Sequence, residues 1–240
     1  LVPDSAEGEE PEPEEALQWT SLHLDPALFA VPAVALGQAR GEVRRMAFAV
    51  RHMLVDIMPA FTHNDVGQIK DIPERDRQVD MLEDRITDYL VQISRLNLPE
   101  EQSVETIHLL NVTKDLEHIG DLIEGNLMGL LNKKVEAGYS FSAEGSAELV
   151  EFHQRVLDSY DRAVQAFDQV DRTLAQSVVT TKAELVELEW TYRKTHYSRL
   201  SRALPETLET SQIHLELIDY LRRIDSYVES IARNVLESRH

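Results

Sequence analysis

The chain of 240 residues contains no cysteine, which excludes disulfides and thiolate metal ligands and fits a reducing compartment. Glycine and proline number only nine each, and several of the prolines lie near the N-terminus. The middle therefore has few chain breakers, which favours long helices over strands and turns. Positive charge is also scarce: 24 Lys and Arg stand against 43 Asp and Glu, a formal net charge of −19. That balance argues against a nucleic-acid binder and opposes adsorption to an anionic membrane surface. It suits hard cations or a basic protein partner. The longest apolar run, Ala27 to Leu36, has ten residues and contains Pro32, so no stretch can span a bilayer. No Gly-x-Ser-x-Gly elbow and no phosphate-binding glycine loop is present, and the chain reads as a non-enzyme.

What the sequence does contain is helical periodicity. Residues 1–15 carry seven acids and no base, and read as a disordered acidic linker within a lead-in over 1–32. From Ala33 the apolar period is helical. Val43, Met46, Val50, Met53 and Ile57 stripe a first helix, with Pro59 near its end. Val79, Leu82, Ile86, Leu90, Ile93 and Leu96 stripe a second, which ends before Pro99. A third, from near Pro99, turns Val104, Ile107, Leu116, Ile119, Ile123, Leu127 and Leu130 inward. Gly138 to Gly145 forms a break. A fourth helix carries Phe152 through Val170 to Leu174, a fifth Leu185 to Leu200, and a sixth Leu217 to Val235, with Glu209-Thr210-Ser211 near its start. Each half is long–short–long with short connections. The expected fold is all-α: two tandem antiparallel three-helix bundles packed side by side, over 33–137 and 143–238. Trp190, Tyr192 and Phe167 belong to the expected core.

The halves echo each other. Lys114 to Asp121 recurs 105 residues later as Asp219 to Ser226, with Leu116 on Leu221, Ile119 on Ile224 and Glu124 on Glu229. Val79 to Glu83 aligns with Leu185 to Glu189 at an offset of 106. The apolar frame is kept, but Arg222 and Ser226 stand where Glu117 and Asp121 stand in the first copy.

Glu117 and Asp121 are four apart and project from one helix face, and Asp80, Glu83 and Asp84 of the second helix are placed to face them. Clustered carboxylates suit hard cations. The alternative is a solvated acidic face tied up by Lys114 or Arg85. His118, His196 and His214 show no His-x-x-x-His or Glu-x-x-His pattern, so they read as packing or surface residues rather than ligands.

Leu116-Glu117-His118-Ile119-Gly120-Asp121 resembles the Leu-Glu-Arg-Ile-Gly-Asp signature of the PhoU family of phosphate regulators, and the resemblance covers residues 33–238. It implies a duplicated three-helix fold and a metal role, iron or another divalent or trivalent ion, for Glu117 and Asp121, with Asp80 and Glu83 as further candidate ligands. No matching cluster is expected in the second half. His196 to Leu200, Glu209 to Leu217, Leu221 to Ser226, and the lead-in Leu24 to Leu36 resemble the cytosolic tail of bacterial sodium/phosphate cotransporters. The start at Leu1 rather than Met agrees with a piece cut from such a protein.

That second resemblance implies a regulatory tail on the cytoplasmic side of the bacterial inner membrane. Its partner would be a membrane-spanning transport domain of the same polypeptide, and a homo-oligomer is a further expectation. The alternative is a free-standing PhoU protein that bridges a phosphate transporter and a sensor kinase. A di-metal carboxylate enzyme would need Glu-x-x-His motifs on paired helices, which the sequence does not supply.

Overall fold

The computed structural model describes residues 23–237. The acidic stretch read as a linker lies outside them. Within them the chain is helical, and the all-α expectation holds. A short 3-10 turn, Pro26–Ala30, leads into α1, Pro32–His63. After α2, Ile72–Ser94, one long rod runs from α3, Glu100–Asp121, through a π-helical turn at Leu122–Leu127 into α4, Met128–Glu136. The second half is α5, Ala143–Gln169, α6, Arg172–Ser201, and α7, Pro205–Glu237.

The apolar stripes explain the packing. Val43, Met46, Val50, Met53 and Ile57 are all fully buried on one side of α1, facing α2 and α3. Each such side chain contributes about 1.5–3 kcal/mol when fully withdrawn from water. The α1, α2 and α3 helices form one bundle and α5, α6 and α7 the other. The bundles meet along α1 against α5 and α3 against α7, and a single hydrophobic core runs through both.

Polar groups fix this seam. Arg51 makes a two-pronged bond to Asp161 at 2.6 and 2.8 Å. The Tyr160 hydroxyl donates to the Ala47 carbonyl at 2.7 Å, and a ring nitrogen of His153 lies 2.7 Å from the Leu54 carbonyl. On the other side Asn111 donates to Asn234, and the His118 ring stacks on Tyr227 at 4.9 Å.

Several sequence expectations are corrected. The middle helix of the second half is not short: α6 has 30 residues. The preceding helix stops at Gln169, because Val170 turns left-handed (φ 54°) and the Asp171 side chain caps α6 by accepting from the Leu174 N–H. Leu174 therefore belongs to α6. Gly138, at φ +69°, does mark a break, but Ser142 caps α5 and Gly145 lies inside that helix. The last helix starts at Pro205, so Glu209-Thr210-Ser211 is interior to it. Pro59 sits near the end of α1 as expected, but α2 stops at Ser94 and leaves Leu96 outside it. Ile107 points outward on α3, and Trp190, expected in the core, is 59% exposed on α6. Among the described residues no helix is long and apolar enough to cross a membrane.

Candidate functional site

Asp76 and Asp80 lie one turn apart on α2, on the face that packs against α3. Asp121 is the last residue of α3, and the π turn starts immediately after it. Carboxylate oxygens of Asp76, Asp80 and Asp121 all lie within 4.8 Å of one another. Gly120 permits this approach, since a Cβ there would sit 3.1 Å from Asp76 Oδ1 and 3.4 Å from Val79. Asp76 Oδ1 is buried and has no hydrogen-bond partner. Burial, then the neighbouring charges of Asp80, Glu124, Asp121 and Glu117, push the Asp76 carboxyl up to about 7. The Asp80 and Asp121 carboxyls are also raised, each chiefly by burial.

Of the four sequence-predicted ligands, the structure brings Asp80 and Asp121 together and adds Asp76, which sequence reasoning missed. Glu117 and Glu83 instead flank Lys114, whose ammonium lies 3.0 Å from Glu117 and 4.0 Å from Glu83. The available signal for Asp76 was its i,i−4 spacing from Asp80, but its aim depends on how closely α2 approaches α3. An orphaned buried oxygen in a convergent, all-oxygen set fits a hard cation.

Asp76→Asn removes one charge from this crowd. A carboxyl whose folded pKa is raised from 3.8 to about 7 costs stability that grows as pH rises between those values. Discounted for its partial exposure, the gain on neutralisation is about 1–2 kcal/mol at pH 8. The metal-free variant should melt a few degrees above the parent at pH 8 and no higher at pH 4, measured by circular dichroism.

Among the described residues, the same place in the second half carries no such cluster. The Lys182 ammonium there lies 2.8 Å from Asp225, 3.0 Å from Ser226 Oγ and 3.5 Å from Glu229. At the end of this bundle Arg199, only 3% exposed, clasps Glu148 with two bonds of 2.7 and 2.6 Å. Thr195 donates to the same carboxylate at 2.6 Å. The His196 and His214 rings stack beside them at 4.5 Å, and His196 contacts Ser211 at 2.9 Å. Burial first, then His196, Arg199 and Arg193, lowers the His214 pKa to about 3. Both histidine rings are buried, and the Arg199–Glu148 pair was not anticipated.

The PhoU domain family matches residues 43–125 and 149–235, one segment in each half. The chain is 27% identical over 226 residues to the "Putative inorganic phosphate export protein YjbB" of Escherichia coli K12, and 28% identical to its counterpart in Salmonella typhimurium. These alignments cover 94% of this chain but 41% of those relatives, so the chain spans less than half their length. PhoU from Pseudomonas aeruginosa has the same fold, with a TM-score of 0.77 and 22% identity over 84% of this chain and 95% of that one. The phosphate transport system regulatory protein PhoU from Streptococcus pneumoniae gives 0.74 and 15%, over 85% and 95%.

The expectation of a membrane-spanning transport domain in the same polypeptide as the partner is corrected. The match covers 95% of each of the two solved PhoU chains, and no described helix is long and apolar enough to cross a membrane. With one family matched in both halves and the six-rod fold shared with solved members, this chain belongs to the PhoU family.

Proposed function

We propose that this chain is a regulator of inorganic phosphate transport, acting as an adaptor that contacts a phosphate transporter and a sensor kinase. The observation that carries the reading is the match of both halves to the PhoU domain. Support comes from relatives named for phosphate export and from a solved structure named as a phosphate transport system regulator. The chain's charge of −19 suits electrostatic docking on basic partner surfaces. The role is binding rather than catalysis.

In this reading Asp76, Asp80 and Asp121 hold a hard divalent or trivalent cation, iron included. When bound, the ion neutralises carboxylates that otherwise repel one another. The chain's own residues do the rest: Gly120 lets the helices close, and Lys114 holds Glu117 and Glu83 aside.

The test is affinity capture of the tagged chain from cells grown with scarce and with abundant phosphate, with phosphate uptake measured after deletion. Co-purification of a phosphate transporter and a sensor kinase, with altered phosphate accumulation in the deletion strain, is expected. Capture of neither, with unchanged accumulation, would sink the reading. Metal analysis of the purified chain separately tests the cluster, because bound metal should fall severalfold in Asp76→Asn/Asp121→Asn.

A further inference from the structure

The two halves repeat the same helices with different chemistry at one position. At the offset of 106 that relates α2 to α6, Lys182 stands where Asp76 stands, Val186 where Asp80 stands and Glu189 where Glu83 stands. At the offset of 105 that relates α3 to α7, Asp225 replaces Gly120, Ser226 replaces Asp121, and Glu229 matches Glu124. The residues that would hold a cation in the first half are thus rearranged in the second.

A positive charge is nevertheless present there. The Lys182 ammonium meets Asp225, Ser226 Oγ and Glu229 at 2.8, 3.0 and 3.5 Å, one partner for each of its three N–H groups. The three partners come from two successive turns of α7 and the lysine stem comes from α6, the counterparts of the two helices that carry the first-half acids. Asp225 is nearly fully buried and also hydrogen-bonds Ser159, so its carboxylate relies on this contact. Even the flanking pattern inverts: Arg222, in the place of Glu117, lies 3.6 Å from Glu189, which Arg193 also holds at 3.0 Å.

We propose that Lys182 is a built-in cation: its ammonium fills, in the second half, the position that Asp76, Asp80 and Asp121 leave to an exchangeable ion in the first. The first-half clause rests on the cation reading above, whereas the second-half clause stands on the Lys182 contacts alone. A tethered ammonium is present at fixed stoichiometry and does not respond to ion concentration. A free ion stabilises the fold by an amount that rises with the logarithm of its concentration above the dissociation constant. The chain therefore offers one ion-responsive half and one permanently neutralised half.

The experiment uses the whole chain with Asp76→Asn/Asp121→Asn as background, so that only the second half is read. In that background, melting should be unaffected by millimolar Mn2+. Adding Lys182→Ala should lower Tm by about 4–10 °C. Mn2+ should then restore part of the loss. If Lys182→Ala melts like its background, or loses stability that Mn2+ does not restore, the built-in cation is refuted.

A second measurement needs no Lys182 variant and survives a failure of that variant to fold. In the unmodified chain, paramagnetic Mn2+ should broaden NMR signals around Asp76 and Asp121 and leave those of Asp225 and Glu229 sharp. Broadening at Asp225 and Glu229 overturns the proposal. Sharp signals in both halves would instead remove the first-half cation reading and leave the Lys182 role standing.

Discussion

Arg199→Met is expected to lower the melting temperature by about 10 °C at neutral pH, among the largest effects of any single substitution in this chain. The guanidinium is 3% exposed, and Glu148, its two-pronged partner, keeps only 14% of its side-chain surface accessible. Removing the arginine leaves a carboxylate in a poorly hydrated site, with the Thr195 hydroxyl as its remaining donor. Breaking one side of such a pair costs about 3–5 kcal/mol, most of it the penalty of the stranded charge. The double variant Arg199→Met/Glu148→Met strands nothing and should melt above the single variant, despite losing more polar groups. A single variant melting within roughly 2 °C of the parent would show that the pair is solvated and contributes little.

His214→Leu should change how stability depends on pH by about 2 kcal/mol between pH 6.5 and pH 5. The His214 pKa falls from 6.5 to about 3 on folding, so the fold favours the neutral ring. Its contribution is complete above pH 6.5 and is lost as pH drops toward 3, where the folded ring also takes a proton. Each such histidine costs about 1.4 kcal/mol per pH unit inside that window. His196 and His153 are lowered too, chiefly by burial, and act in the same direction.

Carboxyls work against them. Asp76 and Asp115 are raised to about 7 and about 6, so the folded state gains stability from them as pH falls. The parent's own pH curve is a compromise between these groups, and only the difference between parent and variant isolates His214. Urea titrations of both proteins at pH 7 and pH 5 provide that difference. Equal losses in the two proteins would mean that His214 is protonated as easily in the fold as in the unfolded chain.

The bundle was legible because burial of whole helix faces leaves a period in the sequence. The stripe from Val43 to Ile57 on α1 and the one from Leu217 to Val235 on α7 became buried faces as expected. Boundaries were less legible, because they depend on single hydrogen bonds. Asp171 reads as one more acid in an acidic chain, yet its bond to the Leu174 N–H starts α6 three residues before the leucine assigned to the previous helix. Periodicity also marked Ile107 and Trp190 as inward, but a helix at the outer side of a bundle can carry apolar residues that stay exposed.

The acidic site was half visible for a related reason. Sequence spacing identifies which acids share a helix face and says little about which of them a nearby lysine captures first. Lys114 sits three residues before Glu117 and takes it, as a short-range contact within one helix. Asp76 is joined to Asp121 only because two helices pack closely over a residue without a side chain.

The seam between the bundles has a thermodynamic meaning as well. One core passes through both, and Arg51–Asp161, Tyr160–Ala47 and Asn111–Asn234 bridge the halves. Halves welded in this way melt together, and whatever tightens one withholds the other from unfolding. An ion gripped between α2 and α3 would therefore shield α5, α6 and α7 from proteases as well, though it touches none of them.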